Sequence, residues 1–205
     1  MPRPLSWVIK LVFTLVLIGG VYVLFIHEDR VVLPPGVRVP DEPVQVNIDP
    51  LVVYQDGENW VTALAEFSMQ AKVLGRERYR NDTPAELSPI DLALGWQRMS
   101  DQRVVDQISI SQRGRWYHWR TRNAPIPLRE IEQCSANFHM LPANGRVREA
   151  LLAVRTGEII AFTGYLVDAQ IGEDWLWETP MTRDDTGDGA CEIVWVQTFE
   201  VVETE

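Results

Sequence analysis

Cysteine and histidine are scarce in this chain, with two and three in 205 residues. That scarcity excludes a disulfide-stapled scaffold and most zinc sites. His118 and His139 have no partner at HxxxH or CxxC spacing. Positive charge is also short. Residues 51–205 hold 15 Lys+Arg against 24 Asp+Glu. A field of that sign opposes nonspecific binding to nucleic acid or anionic membranes. There is no internal repeat, no low-complexity tract and no glycine-rich phosphate loop.

Long apolar runs are absent too, with one exception at the start. Residues 7–26, WVIKLVFTLVLIGGVYVLFI, carry a single charge at Lys10. As a helix rising about 1.5 Å per residue, such a run spans about 30 Å, the thickness of a bilayer core. Arg3 and Lys10 precede or open it, and His27, Glu28, Asp29 and Arg30 follow with no positive excess. The positive-inside rule predicts residues 1–6 in the cytoplasm and everything after residue 27 outside. A cleaved signal peptide is the competing reading. Against it, the sequence after Leu24 lacks a small-residue cleavage pattern, and no cysteine follows the run as a lipoprotein would need.

Residues 27–50 contain five prolines between Val31 and Pro50, a composition that predicts an extended, stiff spacer. Residues 51–205 are enough for one extracytoplasmic domain with its own core. In Asn59–Tyr79 the alternation of Ala65, Phe67, Met69, Ala71 and Val73 with polar residues predicts a half-buried strand. Ser88-Pro89-Ile90-Asp91 reads as the capped start of a short helix, docked by Leu92, Leu94 and Trp96. Residues 108–120 form one strand, or two broken at Gly114. Val147–Arg155 is the clearest helix, stopped by Thr156-Gly157. Glu158–Val167 returns through Trp175–Thr179 as a hairpin, and Ile193–Val202 is an interior strand. The fold class expected is α+β: an N-terminal transmembrane helix, then a mainly antiparallel β domain with two or three short helices. A partly closed barrel of the oligonucleotide- or oligosaccharide-binding type is one candidate.

The stretch TRDDTGDGACE, Thr182–Glu192, concentrates carboxylates. Asp184, Thr186 and Asp188 before Gly189 match the first half of a calcium loop, with Glu192 at the ninth position. Its twelfth position is Trp195 instead of glutamate. Asp184, Asp188 and Glu192 are therefore candidate calcium ligands, and an ordered turn is the alternative. Cys134 and Cys191 both fall in the exported portion, where thiols commonly pair, so a Cys134–Cys191 disulfide is one reading and two free thiols the other. A Cys134–His139 nucleophile lacks any surrounding signature. Arg113, Arg115, Arg120 and Arg122 alternate with Trp116, Tyr117 and Trp119. Strand alternation puts Arg113, Arg115, Tyr117 and Trp119 on one face. Arg115, Trp119, His139 and Arg183 are the candidate binding residues.

The segments EFSMQAKVLGRERY, SPIDLALGW, SANFHMLPA, FTGYLV and TRDDTGDGACEIVWV resemble an uncharacterised family of bacterial single-pass, membrane-anchored envelope proteins. The resemblance covers most of residues 60–197. It implies an anchored, envelope-facing domain and brings no activity or catalytic residue. The expected function is a noncatalytic accessory or binding protein whose partner is an envelope protein or glycan. Nucleic acid is disfavoured. The competing expectation is a hydrolytic or calcium-dependent site on Asp184, Asp185, Asp188, Glu192 and His139, and a third is an oligonucleotide- or glycan-binding barrel.

Overall fold

The computed structural model describes residues 7–17, 30–56, 59–173, 175–182 and 191–202. The chain divides into two units, Met1–Arg30 and Val31–Glu205. In the first, residues 7–17 are helical (α1) with exposed side chains. Residues 18–26, the second half of the expected span, lie outside the described residues. No helix among the described residues is long and apolar enough to cross a membrane.

The second unit is α+β and mainly antiparallel. Its spine is β2 (Asn59–Arg78), 20 residues long. Alternate side chains from Val61 to Val73 are buried, as the period-two pattern predicts. Because β2 is so long, it pairs with three partners: β1 (Val44–Asp56), β3 (Ile90–Gly95) and β7 (Ile159–Ile171). From β3 the sheet continues through β6 (Ser135–Pro142) and β9 (Glu192–Val201) to β7, which pairs back onto β2. Five strands therefore form a closed circuit, β2-β3-β6-β9-β7. Among the described residues only the β6–β9 pair is parallel. At the sheet ends, β1 pairs with the first half of β2, and β8 (Trp175–Trp177) pairs with the end of β7.

Inside the circuit, Phe67, Phe138 and Phe162 meet with ring centroids 5.9–6.1 Å apart. Helix α4 (Gly145–Ala153) links β6 to β7. Asn144 caps it, its side chain accepting from Val147 N at 3.0 Å, while Val147 and Leu151 point into the core. The two other short helices are α2 (Gln102–Val105) and α3 (Leu128–Gln133).

Two expectations are corrected here. Ile90–Gly95 is a strand, not a helix, and all six of its residues are buried. A short apolar run that must be covered on both faces is accommodated between two neighbours in a sheet, and the Ser-Pro-x-Asp signature cannot report those neighbours. Pro89 is not at a helix start; its carbonyl accepts from Tyr79 N at 2.9 Å. Residues 31–50 are not a free spacer either. The strap 31–43 lies on the body of the unit, and β1 begins at Val44. Val31 N donates to Thr156 O at 2.9 Å, and Gly36 N to Asp101 Oδ1 at 3.0 Å. Ser100 Oγ accepts from both Arg38 N and Val39 N at 3.0 Å, Gln97 N donates to Val39 O at 2.6 Å, and Val39 is buried. Proline suits a strap because it removes backbone donors that a non-sheet segment would otherwise have to satisfy.

Candidate functional site

Between β3 and β6 the chain makes a two-stranded excursion, β4 (Ser109–Arg113) and β5 (Trp116–Arg120). Among the described residues these pair only with each other, in a sheet separate from the main one. The connection has two residues, Gly114 and Arg115, with φ of 58° and 72°. A two-residue loop with both central residues at positive φ matches the twist of the strands. Glycine adopts that geometry freely, whereas arginine does so at a cost of about 1–2 kcal/mol. The turn also corrects the expected faces: Arg113 lies opposite Trp116 on the exposed side, and Tyr117 and Trp119 are on the inner side.

The strained arginine is gripped on all sides. Its Nε and Nη2 donate to Asp82 Oδ2 and Oδ1 at 2.7 and 3.1 Å, a bidentate pair. Its Nη1 donates to Ser88 Oγ at 3.1 Å and to Asp91 Oδ1 at 2.9 Å. The guanidinium carbon stands 3.7 Å from the centroid of the Tyr79 ring and 5.5 Å from that of Trp177. The main chain is held too. Arg115 N donates to Tyr79 Oη at 2.8 Å, and Arg115 O accepts from Asn137 Nδ2 at 3.3 Å and from Cys191 Sγ at 3.8 Å. The Arg115 side chain is 12% exposed and that of Asp91 1%.

His139 closes the cluster. It faces Asp91 across the β3–β6 ladder, and its Nδ1 stands 2.9 Å from Asp91 Oδ1. Among the described residues Nδ1 makes no hydrogen bond. Its ring stacks against Trp177 at 4.2 Å between centroids. Asp91 Oδ2 is buried and makes no hydrogen bond among the described residues.

Of the expected binding residues, Arg115 and His139 thus meet through Asp91. Trp119 stands apart, packed against the main core, and Arg183 lies outside the described residues. Asp184, Asp185 and Asp188 of the expected calcium loop lie outside them as well. Glu192 is buried at the start of β9, opposite Phe138. Among the described residues no group of His, Cys, Asp or Glu is arranged to hold a metal ion.

The disulfide is not formed: Cys134 and Cys191 are both free. Cys191 precedes Glu192, whose register partner is Phe138, so it sits beside Asn137. Cys134 is three residues back along that strand, about 10 Å away at 3.3 Å per residue, beyond the reach of about 7 Å that a bridge allows. Burial pushes the Cys191 thiol up to about 12, against a hydrogen bond from Asn137 that lowers it. Burial, helped by Glu130, pushes Cys134 up to about 11. Both thiols are therefore protonated near neutral pH. Tyr79 is raised to about 12, chiefly by burial and then by Asp91.

Sequence reasoning missed Tyr79, Asp82, Ser88, Asp91, Asn137 and Trp177. Two signals pointed to them. Asp91 is the lone charge in the apolar run PIDLALGW, and Gly-Arg is an odd choice for a tight hairpin turn. No protein-family model matches this chain, and no curated protein or solved structure shows significant similarity to it.

Proposed function

We propose that this chain is a noncatalytic binding protein of the bacterial cell envelope, anchored by residues 7–26 and presenting its β domain in the periplasm. The observation that carries the reading is the state of its most reactive-looking cluster. Asp91 Oδ1 and Cys191 Sγ are engaged by Arg115, and His139 reaches the cluster only through Asp91. A catalytic triad needs a nucleophile, a base within hydrogen-bond reach and room for a substrate atom. Here the thiol is protonated, the imidazole is not hydrogen-bonded to the carboxylate beside it, and an arginine fills the space.

The anchor rests on the length and apolarity of residues 7–26 and on the charges flanking them. Gly19-Gly20 would let such helices approach closely. The partner class is a protein or a glycan, since the net charge of residues 51–205 opposes nucleic acid. We read the closed circuit β2-β3-β6-β9-β7 as a barrel of the oligonucleotide- or oligosaccharide-binding type. Such barrels bind on the face of their second and third strands and on adjoining loops. Here those strands are β3 and β6, which supply Asp91, Asn137 and His139.

The test is photo-crosslinking in intact cells from the exposed hairpin positions Arg113 and His118, with protease shaving of spheroplasts in parallel. A discrete adduct, and digestion of the β domain only after outer-membrane removal, is the expected result. Recovery of the chain only as itself, or protection of the domain inside spheroplasts, would overturn the reading.

A further inference from the structure

We propose that Tyr79, Asp82, Ser88, Asp91 and Trp177 form a receptor for an arginine residue presented in a peptide turn, which the chain's own Arg115 fills in cis. The proposal rests on the geometry of the cage and stands whether or not the domain is anchored in an envelope. Three features distinguish the cage from an ordinary surface ion pair. First, four guanidinium hydrogen bonds converge from two carboxylates and a hydroxyl, one carboxylate being engaged through both oxygens. That fork suits a guanidinium and not an ammonium. Second, two aromatic rings flank the cation, a favourable contact for a planar, weakly hydrated group. Third, the main chain of the arginine is recognised at both N–H and C=O, by Tyr79 and Asn137. A free amine or guanidine would leave those contacts unused, so a peptide arginine is the occupant that fits.

The cage also retains unspent capacity. Asp91 Oδ2 is buried with no hydrogen bond among the described residues, and a buried acceptor left so costs free energy. The resident occupant is held at positive φ on a hairpin that pairs only with itself. An arginine presented without that strain, with a donor for Asp91 Oδ2, would sit better than Arg115 does.

The test uses the full-length chain carrying Arg115→Ala and the capped tripeptide acetyl-Gly-Arg-Trp-amide, which copies the hairpin tip. At a peptide concentration of about ten times its dissociation constant, the thermal midpoint of Arg115→Ala should rise saturably by about 3–6 °C. Three controls fix the assignment. Acetyl-Gly-Lys-Trp-amide should give no rise, Asp82→Asn in the same background should abolish it, and wild type should not respond at that concentration because its tethered arginine competes at high effective concentration. Absence of a rise overturns the proposal. So does an equal rise with the lysine peptide, with Asp82→Asn, or in wild type. If Arg115→Ala does not fold in buffer, the readout becomes recovery of near-ultraviolet circular dichroism on adding each peptide. Recovery with the arginine peptide alone supports the receptor, and no recovery overturns it.

Discussion

The strap 31–43 is docked rather than free, and the point at which it meets Gly157 allows the docking to be measured. Gly157 has a φ of 94°, and a Cβ built on it would lie 1.8 Å from Val31 O and 2.8 Å from Val31 C. No carbon sits that close to a carbonyl oxygen, so in Gly157→Ala the backbone at Val31 must withdraw. The withdrawal breaks the bond from Val31 N to Thr156 O, now 2.9 Å. Alanine at a positive φ costs about 1–2 kcal/mol, and the lost hydrogen bond adds about 1 kcal/mol. With some displacement of neighbouring contacts, the expected total is about 2–4 kcal/mol.

Gly114 is the matched control. Its φ is also positive, at 58°, but nothing lies within 4 Å of a Cβ there. Gly114→Ala should therefore show only the backbone cost, about 1–2 kcal/mol. For a body of this size each kcal/mol moves the midpoint by about 2–4 °C, and the two variants should differ visibly in thermal unfolding followed by circular dichroism. Trypsin gives a second readout: cleavage after Arg38 should accelerate in Gly157→Ala and not in Gly114→Ala. Equal midpoints and equal cleavage would refute the docking of the strap against the Thr156-Gly157 turn.

Other expectations follow from the same contacts. The Asp101 carboxyl is held below its usual 3.8, chiefly by the Gly36 N–H and also by the Arg103 N–H. Its contribution is therefore present above about pH 4 and lost as the pH falls through the lowered value, and Asp101→Asn should flatten the acid limb of midpoint against pH. At the alkaline end, Tyr79, Tyr117 and Cys191 are raised to about 12 and Cys134 to about 11, all chiefly by burial. Their neutral forms favour the fold below the usual values of 9 to 10, and that stability should drain away as the pH climbs from about 9 towards 12. A thiol reagent at pH 8 should accordingly react slowly with the native chain and titrate two thiols after unfolding; rapid native reaction would contradict the burial of Cys134 and the raised thiols of both cysteines. Phe138→Ala, which removes one ring of the interior triad, should cost about 3–5 kcal/mol in denaturant unfolding.

How legible all this was in the sequence depended on how local the cause is. The β2 strand declares itself because its buried face is written every second residue from Val61 to Val73. Helix α4 and the β7–β8 hairpin were equally plain, since stripe, cap and turn residues lie within a few positions of one another. Ile90–Gly95 misled because Ser-Pro-x-Asp is a local helix signal, whereas burial on both faces is imposed by β2 and β6. The strap misled for a related reason. Proline content reports stiffness but not attachment, and attachment depends on Ser100 and Gln97, which lie far along the chain from Arg38 and Val39. At the site, Arg115 and His139 drew notice as residue types, while Asp82, Asp91 and Trp177 did not. Only the closing of the circuit brings the β2–β3 connection, β3, β6 and β8 to one place.

That assembly also separates the parts of the domain by how firmly they are held. The five strands of the circuit share backbone ladders on both sides, and the Phe67, Phe138 and Phe162 rings fill their interior. The β4–β5 hairpin has one ladder, its own, and a lone two-stranded hairpin is marginal in water. Its polar attachments to the circuit include Gln112 to Asn137 at 2.8 Å, Tyr117 to Ser135 at 3.1 Å, and the Arg115 cluster. Among these, Arg115 makes the most contacts and is the residue held in the costlier backbone conformation. Ile110, Tyr117 and Trp119 on the hairpin's inner side pack against the main core as well. The hairpin is therefore held over the β3–β6 face by apolar packing and by the cage together, and the cage is the part that offsets the cost of the Arg115 backbone.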